Sequence, residues 1–323
     1  SLTSIGDYAF SDCSGLTSID LSNCTSLTSI GENAFDDCTG LTGIDLSNCT
    51  SLTSIGGSAF YYCNGLKGEL NLSNCTSLTS INYQAFSNCS GLTSITLPSS
   101  LTSIGDSAFE DCSGLTGELV IPEGVTSIGS GTFSGCSGLE RIEVEEGNSV
   151  YHSESNCLIE TETNTLVFGC KTSIIPNYVT SIGDRAFYRC INLTSITLPT
   201  NLTSIGDYAF AYCSGLTSIT LPSNLTSIGD RAFEDCSGLK SISLPSSLYV
   251  IGRYAFQDCS GLTSVTINRY VFRNVTSSSS SCGYILNYIG SGGTVYVPAN
   301  LIDDLHLTNS YLDDESEFTR SAT

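Results

Sequence analysis

Apolar residues recur along this chain at the first, fourth and sixth places of a short segment, as in Leu216-Thr217-Ser218-Ile219-Thr220-Leu221. This is neither the 3.6-residue period of a helix nor strict alternation. The closing Ile-Thr-Leu does alternate, which predicts a short strand with Ile219 and Leu221 inward. A proline then follows. All seven prolines, Pro98, Pro122, Pro176, Pro199, Pro222, Pro245 and Pro298, occupy this one phase, directly after Leu, Ile or Val. Proline cannot donate to a strand ladder, so it marks a corner where the chain leaves the sheet. A second short apolar element comes next, as in Leu225-Thr226-Ser227-Ile228. Gly229-Asp230 then turns the chain, and the Asp reads as the cap of a helical turn carrying Ala232, Phe233 and Cys236. A Phe in every turn predicts a stacked aromatic spine.

The whole phrase repeats. It ends at Cys13, Cys38, Cys63, Cys89, Cys112 and Cys136, and again at Cys190, Cys213, Cys236 and Cys259, the last four 23 residues apart (213−190, 236−213, 259−236). A fixed period of this length predicts a solenoid, in which each turn buries its apolar face against its neighbours. Early turns are longer: Leu21-Ser22-Asn23-Cys24-Thr25-Ser26-Leu27 stands where later ones read Leu-Pro-Ser-Asn-Leu, giving a period of 25 (38−13) and a second cysteine series, Cys24, Cys49 and Cys75. An extra residue at Gly68 and at Gly117 predicts bulges. The solenoid is expected over 1–297. It is interrupted by a hairpin insert at about 145–175, with strands around Glu162-Thr163-Asn164, and by an irregular last turn at about 268–293. Thr294–Val297 would close the sheet, and an acidic C-terminal cap with a short helix is expected over 298–323. Ser1 falls in mid-repeat, which reads as a cut chain whose N-terminal cap is missing.

Composition narrows the partners. Of 323 residues, 32 are acidic and 11 basic, for a formal charge of −21. Such a field repels nucleic acid and anionic membrane surfaces. No apolar run approaches the roughly 20 residues of a membrane span. Hydrophobic residues make up 40%, enough for a continuous core, while charged residues are only 13%.

The ten phrases with Phe three residues before Cys, beside strands of the form Leu-x-x-Ile-x-Leu-Pro, resemble the BspA-like leucine-rich repeats, also called the Treponema pallidum type. The similarity covers about 1–267. It extends to SNCLIETETNTLVFGCKTSIIP, which is similar to a recurrent insert of that family, and to TVYVPANLIDD, similar to its last strand and cap. The resemblance implies an α/β-type repeat solenoid: a right-handed leucine-rich-repeat coil with a parallel β-sheet on the concave face, and short strands and helical turns elsewhere. It also implies export, an extracellular or cell-surface location, and an adhesin-like role.

The residues offer little chemistry. Equivalent cysteines of stacked turns should form a column about 5 Å apart, and cysteine packs as a small buried hydrophobe. No CxxC spacing points to zinc. Cys157 and Cys170 flank the insert and are the one candidate disulfide. His152 and His306 are the only histidines, and no nucleophile, base and orienting acid stand out around them, so no catalytic residue, metal or cofactor is assigned and an enzyme is not expected. A calcium ion at the Asp20/Asp45 column is conceivable, but stacked acids are equally explained by solubility. The Asn-x-Ser/Thr sequons read as by-products of the repeat.

The outward side chains flanking the strand Ile form two columns that are the candidate ligand face: Ser18, Asp20, Asp45, Ser94, Thr96, Arg141, Glu143, Ser195, Thr197, Ser218, Thr220, Ser241, Ser243, Ser264 and Thr266. They lack aromatics, which argues against tight binding on that strip alone. Tyr8, Tyr61, Tyr62, Tyr188, Tyr208, Tyr212 and Tyr254 lie around the turn instead and are candidates for a lateral patch. The reading is a monomeric, non-enzymatic interaction module for a host or microbial surface protein or glycan. Its alternatives are a passive spacer and, last, binding to ice or crystalline polysaccharide. Specificity is expected where the repeat fails: the acidic early turns, the insert and the end after Ile267.

Overall fold

The computed structural model describes residues 2–267, 294–297 and 319–322. The chain forms two compact units, Ser1–Glu162 with Phe168–Thr172, and Thr163–Val167 with Ser173–Thr323. The expected irregular turn at 268–293 and most of the cap at 298–323 lie outside the described residues.

Each unit is a stack of turns joined by parallel strands. In the first unit the unbroken ladder runs through the second apolar element: Ser4–Ile5, Ser29–Ile30, Ser54–Ile55, Ser80–Ile81, Ser103–Ile104 and Ser127–Ile128, with Ser facing Ser and Ile facing Ile. The second unit repeats this at Ser181–Ile182, Ser204–Ile205, Ser227–Ile228 and Val250–Ile251. The preceding Thr reinforces it. Thr53 and Thr102 donate their hydroxyls to the carbonyls of Thr28 and Thr79, at 2.9 and 3.0 Å. The Ile-Thr-Leu phase, expected to be the main sheet, is instead paired only in short pieces, such as Ser195–Ile196 with Ser218–Ile219 and Ser241–Leu244 with Ser264–Ile267. The proline that ends this phase has no N–H to carry a ladder onward. Register slips beside Gly68 and Gly117, both with positive φ, as their extra residue predicts. Thr294–Val297 pairs with Ser264–Thr266, and Thr319–Ala322 pairs with Thr294–Val297 in turn.

The helical turns, and with them the α/β description, are not found. Among the described residues there is no helix, and each unit is an all-β stack. In the segment expected to be helical, alternate amides reach the next turn rather than along the chain. Tyr8, Phe10 and Asp12 N–H donate to Glu32, Ala34 and Asp36 O at 2.9, 2.8 and 2.8 Å. The amides between them, of Ala9, Ser11 and Cys13, close tight local turns onto Gly6, Tyr8 and Phe10 O. A helix would spend all of these groups within one turn; the stack shares them between turns. Alternation of this kind needs left-handed residues, and they occur at two fixed phases, such as Tyr8 and Asp12, Asn33 and Asp37, Tyr208 and Tyr212. Glycine fills these phases only at Gly131 and Gly135.

The core is a set of single-residue columns. Phe10, Phe35, Phe60, Phe86, Phe109 and Phe133 stack with centroids 5.0–5.7 Å apart and rings within 7° of parallel. Phe168 of the insert adds a tilted rung 5.6 Å from Phe133. Phe187, Phe210, Phe233 and Phe256 form the spine of the second unit.

Beside the spine, Cys38, Cys63, Cys89, Cys112 and Cys136, and Cys213, Cys236 and Cys259 in the second unit, donate their S–H to the Phe carbonyl of the turn before, as from Cys63 to Phe35 at 3.0 Å and from Cys236 to Phe210 at 3.1 Å. The column is therefore a chain of weak donors as well as a packed seam.

The glycine of the Cys-Ser-Gly-Leu corner is fixed by contact. A Cβ at Gly91 would collide with the backbone oxygen of Leu66 and lie 3.1 Å from Asn64 O, whereas one at Gly15, in the first turn, would meet nothing. Gly91→Ala should therefore lower stability by about 1–3 kcal/mol, and Gly15→Ala should leave it nearly unchanged, as urea titrations of both variants would show. Equal losses would mean that the corner glycines serve only conformation.

Candidate functional site

The strand-face candidates lie on the surface, all exposed or half-exposed. Ser195 pairs with Ser218, and Ser241 and Ser243 pair with Ser264 and Thr266, so columns do form in the second unit. In the first unit Asp20 and Asp45 are engaged locally. Asp20 accepts from the Ser22 amide and hydroxyl at 3.0 and 2.6 Å, and Asp45 accepts from the Ser47 amide at 2.9 Å. The Ser22 and Ser47 hydroxyls foremost, then their amides, hold these carboxyls below the usual range. Arg141 bridges Glu118 and Glu143 at 2.7 and 2.9 Å. Thr96 donates to Glu69. No group of three or more acidic, His or Cys side chains among the described residues is placed to hold a metal.

The insert holds the expected hairpin, with its turn at 161–164, and adds a second one. The strands Cys157–Glu160 and Thr165–Gly169 are present. A tighter hairpin precedes them: Tyr151–Glu154 pairs antiparallel with Cys157–Glu160 around Ser155 and Asn156, both left-handed, as a two-residue loop of this kind requires. His152 sits in that hairpin, with Nδ1 2.8 Å from Thr161 Oγ1. Cys157 and Cys170 are buried thiols and no disulfide joins them. The Cys157 sulfur lies 3.8 Å from Ser155 O, and that of Cys170 3.2 Å from Thr172 Oγ1. Each thiol thus has an oxygen neighbour of its own.

The most organised surface lies on the turn flank of the second unit. At the first left-handed phase, successive turns carry Arg185, Tyr208, Arg231 and Tyr254. Turns of equal length bring these into one column. The Arg185 and Arg231 guanidiniums lie 5.4 and 5.8 Å from the Tyr208 ring, and Arg231 lies 5.0 Å from that of Tyr254. Arg189 lies 5.6 Å from the Tyr188 ring and 5.5 Å from that of Tyr212, and the two rings meet edge to face.

Glu234 sets one of these cations. It is 4% exposed, and Oε1 binds Arg231 Nη1 at 2.9 Å. Burial pushes its carboxyl up, against the opposing pull of Arg231, and Oε2 has no hydrogen-bond partner. Sequence reading found four of the tyrosines and missed the arginines. Writing the turns one beneath another would have shown the Arg-Tyr-Arg-Tyr alternation. The other tyrosines, Tyr8, Tyr61 and Tyr62, belong to the first unit, where Tyr61 and Tyr62 pack edge to face at 4.7 Å.

No curated protein sequence matches the chain. Among solved structures, the pneumococcal vaccine antigen PcpA is similar over 100% of this chain and 84% of its own, at 21% identity and a TM-score of 0.70. A leucine-rich cell surface protein from Faecalibacterium prausnitzii is similar over 90% of this chain and 86% of its own, at 28% identity and a TM-score of 0.56. The family described as BspA type leucine rich repeat region (6 copies) matches residues 1–76, 68–179 and 169–284. With its cysteine-and-phenylalanine columns repeating through both units, the chain belongs to the BspA-type leucine-rich repeat family.

Proposed function

We propose that the chain is a non-enzymatic, adhesin-like interaction module of a cell surface, binding an extracellular protein or glycan through its repeat surface. The observation that carries this reading is the Arg–Tyr flank of the second unit. Three of the eleven basic residues, Arg185, Arg189 and Arg231, fall within it. Arg and Tyr are the side chains over-represented where binding energy concentrates. Stacking holds them in place before a ligand arrives, which lowers the cost of ordering them. The Faecalibacterium relative is a cell surface protein, which agrees with a surface location.

The test is binding of the chain to immobilised fibronectin, laminin, fibrinogen and mucin by biolayer interferometry. A Tyr208→Ala/Arg231→Ala variant should bind its ligand at least about tenfold more weakly. A passive spacer would bind none of them, and would fold and function equally well after loss of one whole 23-residue turn.

A further inference from the structure

One place in the first unit breaks the repeat three times in succession. The residue after the turn glycine is ordinarily Asp, and its Oδ1 caps the amide one turn on: Asp7 to Glu32, Asp106 to Ser130, Asp184 to Asp207, Asp207 to Asp230 and Asp230 to Arg253, at 2.6–2.9 Å. In three consecutive turns this position holds Glu32, Gly57 and Tyr83, and none of them makes that cap.

They are fitted to one another instead. A Cβ on Gly57 would collide with the Tyr83 ring, so the missing side chain is the seat on which the ring rests. The Tyr83 hydroxyl donates to Glu32 Oε1 at 3.2 Å, reaching across the intervening turn. A Glu at this place extends one carbon further than the usual Asp. The ring is therefore pinned on one side and tethered at its tip, yet Tyr83 remains 48% exposed. Beside it opens a groove of about 540 Å³, lined also by Asn82, Ser103 and Asp106, within the size range of small-ligand sites. Asn82 too departs from the repeat, standing where neighbouring turns carry Gly31, Gly56 and Gly105.

We infer that this groove is a saccharide-binding site for neutral hexose units. The held Tyr83 ring offers a flat apolar face for the C–H face of a sugar. The Glu32 and Asp106 carboxylates accept from sugar hydroxyls, and the Asn82 amide and Ser103 hydroxyl both donate and accept. A basic peptide would meet the same two carboxylates and the ring, but it would have no use for the amide and hydroxyl donors on the groove wall.

The inference rests on the reading of the chain as a ligand-binding module and adds a site separate from the Arg–Tyr flank. Saturation-transfer NMR and calorimetry with cellohexaose, maltohexaose and an N-acetyllactosamine tetramer test it, with a nona-arginine peptide as the charged control. At least one neutral sugar should bind, with an affinity that is unchanged between 50 and 500 mM NaCl. Tyr83→Ala should weaken it about tenfold or more, and Tyr83→Phe, which keeps the ring and loses the tether, by only about threefold. Tyr208→Ala/Arg231→Ala should leave it intact, and circular dichroism would confirm that each variant folds. Sugar binding that ignores Tyr83→Ala would overturn the site while leaving the module reading in place. Binding of the peptide alone, lost at high salt, would replace the saccharide with a cationic partner. Binding of no sugar and no peptide would overturn the site, and the surface assay of the Arg–Tyr flank would then decide the wider reading separately.

Discussion

Raising the pH from 8 to 11 is expected to unfold this protein steeply. The thiols of Cys38 and Cys75 are pushed up to about 11, and that of Cys63 to about 12, with burial as the first cause. Burial likewise raises Cys49, Cys89, Cys112, Cys136 and Cys213. For Cys236 the hydrogen bond with Cys259 comes first and burial second. An ordinary thiol titrates near 9.0. Above that pH the unfolded chain releases protons that the folded chain still holds. The stabilisation is thus complete below pH 9 and is lost as pH rises toward the folded values. Each such thiol removes about 1.4 kcal/mol per pH unit. Against a total stability of about 5–15 kcal/mol, a handful acting together is enough. Urea midpoints at pH 8, 9, 10 and 10.5 would show the fall. A triple variant, Cys63→Ala/Cys89→Ala/Cys112→Ala, should start less stable and decline less steeply. A midpoint that holds constant to pH 10.5 would mean that the column is hydrated.

Phe86→Ala should lower stability by about 3–5 kcal/mol, the range for emptying a buried aromatic site. Phe86 is fully buried, with Phe60 and Phe109 stacked on its two faces at 5.0 and 5.4 Å. Both neighbours lose contact at once, and the surrounding turns are tied by backbone bonds that resist collapse into the space. Phe86→Leu should recover part of the loss by refilling volume. Phe10→Ala should cost markedly less, because Phe10 is half-buried and stacks on Phe35 alone among the described residues. Equal losses at Phe10 and Phe86, measured by urea unfolding, would show that the spine is not a cooperative column.

The stack, the proline corners, the bulge glycines and the Phe column were legible in the sequence because each follows from composition at a fixed phase. The absent helix was not. Gly229-Asp230 followed by Ala232 and Phe233 has the local appearance of a capped helical turn, and Asp230 does cap an amide, but that of Arg253 in the next turn. Its partner lies 23 residues away, and a propensity argument sees only neighbours. In the insert, the polar Glu162-Thr163-Asn164 run marked its turn correctly, but the hairpin before it was not legible, because Ser155-Asn156 lacks the glycine that usually announces a two-residue loop. The Arg–Tyr flank and the Tyr83 groove both depend on side chains one or two turns apart. They emerge only when the turns are aligned by structure rather than by the phrase they share.

The left-handed pair in every turn has a consequence for how this chain changes over generations. A side chain with a Cβ pays about 1–2 kcal/mol to sit there, and glycine pays almost nothing. Drift toward stability alone would therefore fill these places with glycine. They hold Tyr, Arg, Gln, Asn, Asp and Ser at eighteen of the two phases' positions instead. Because the amide ladder passes through their backbones and not their side chains, each can be exchanged without rebuilding the turn. The fold thus keeps a row of interchangeable pegs, and variation among descendants of this chain should collect on that row while the columns behind it stay fixed.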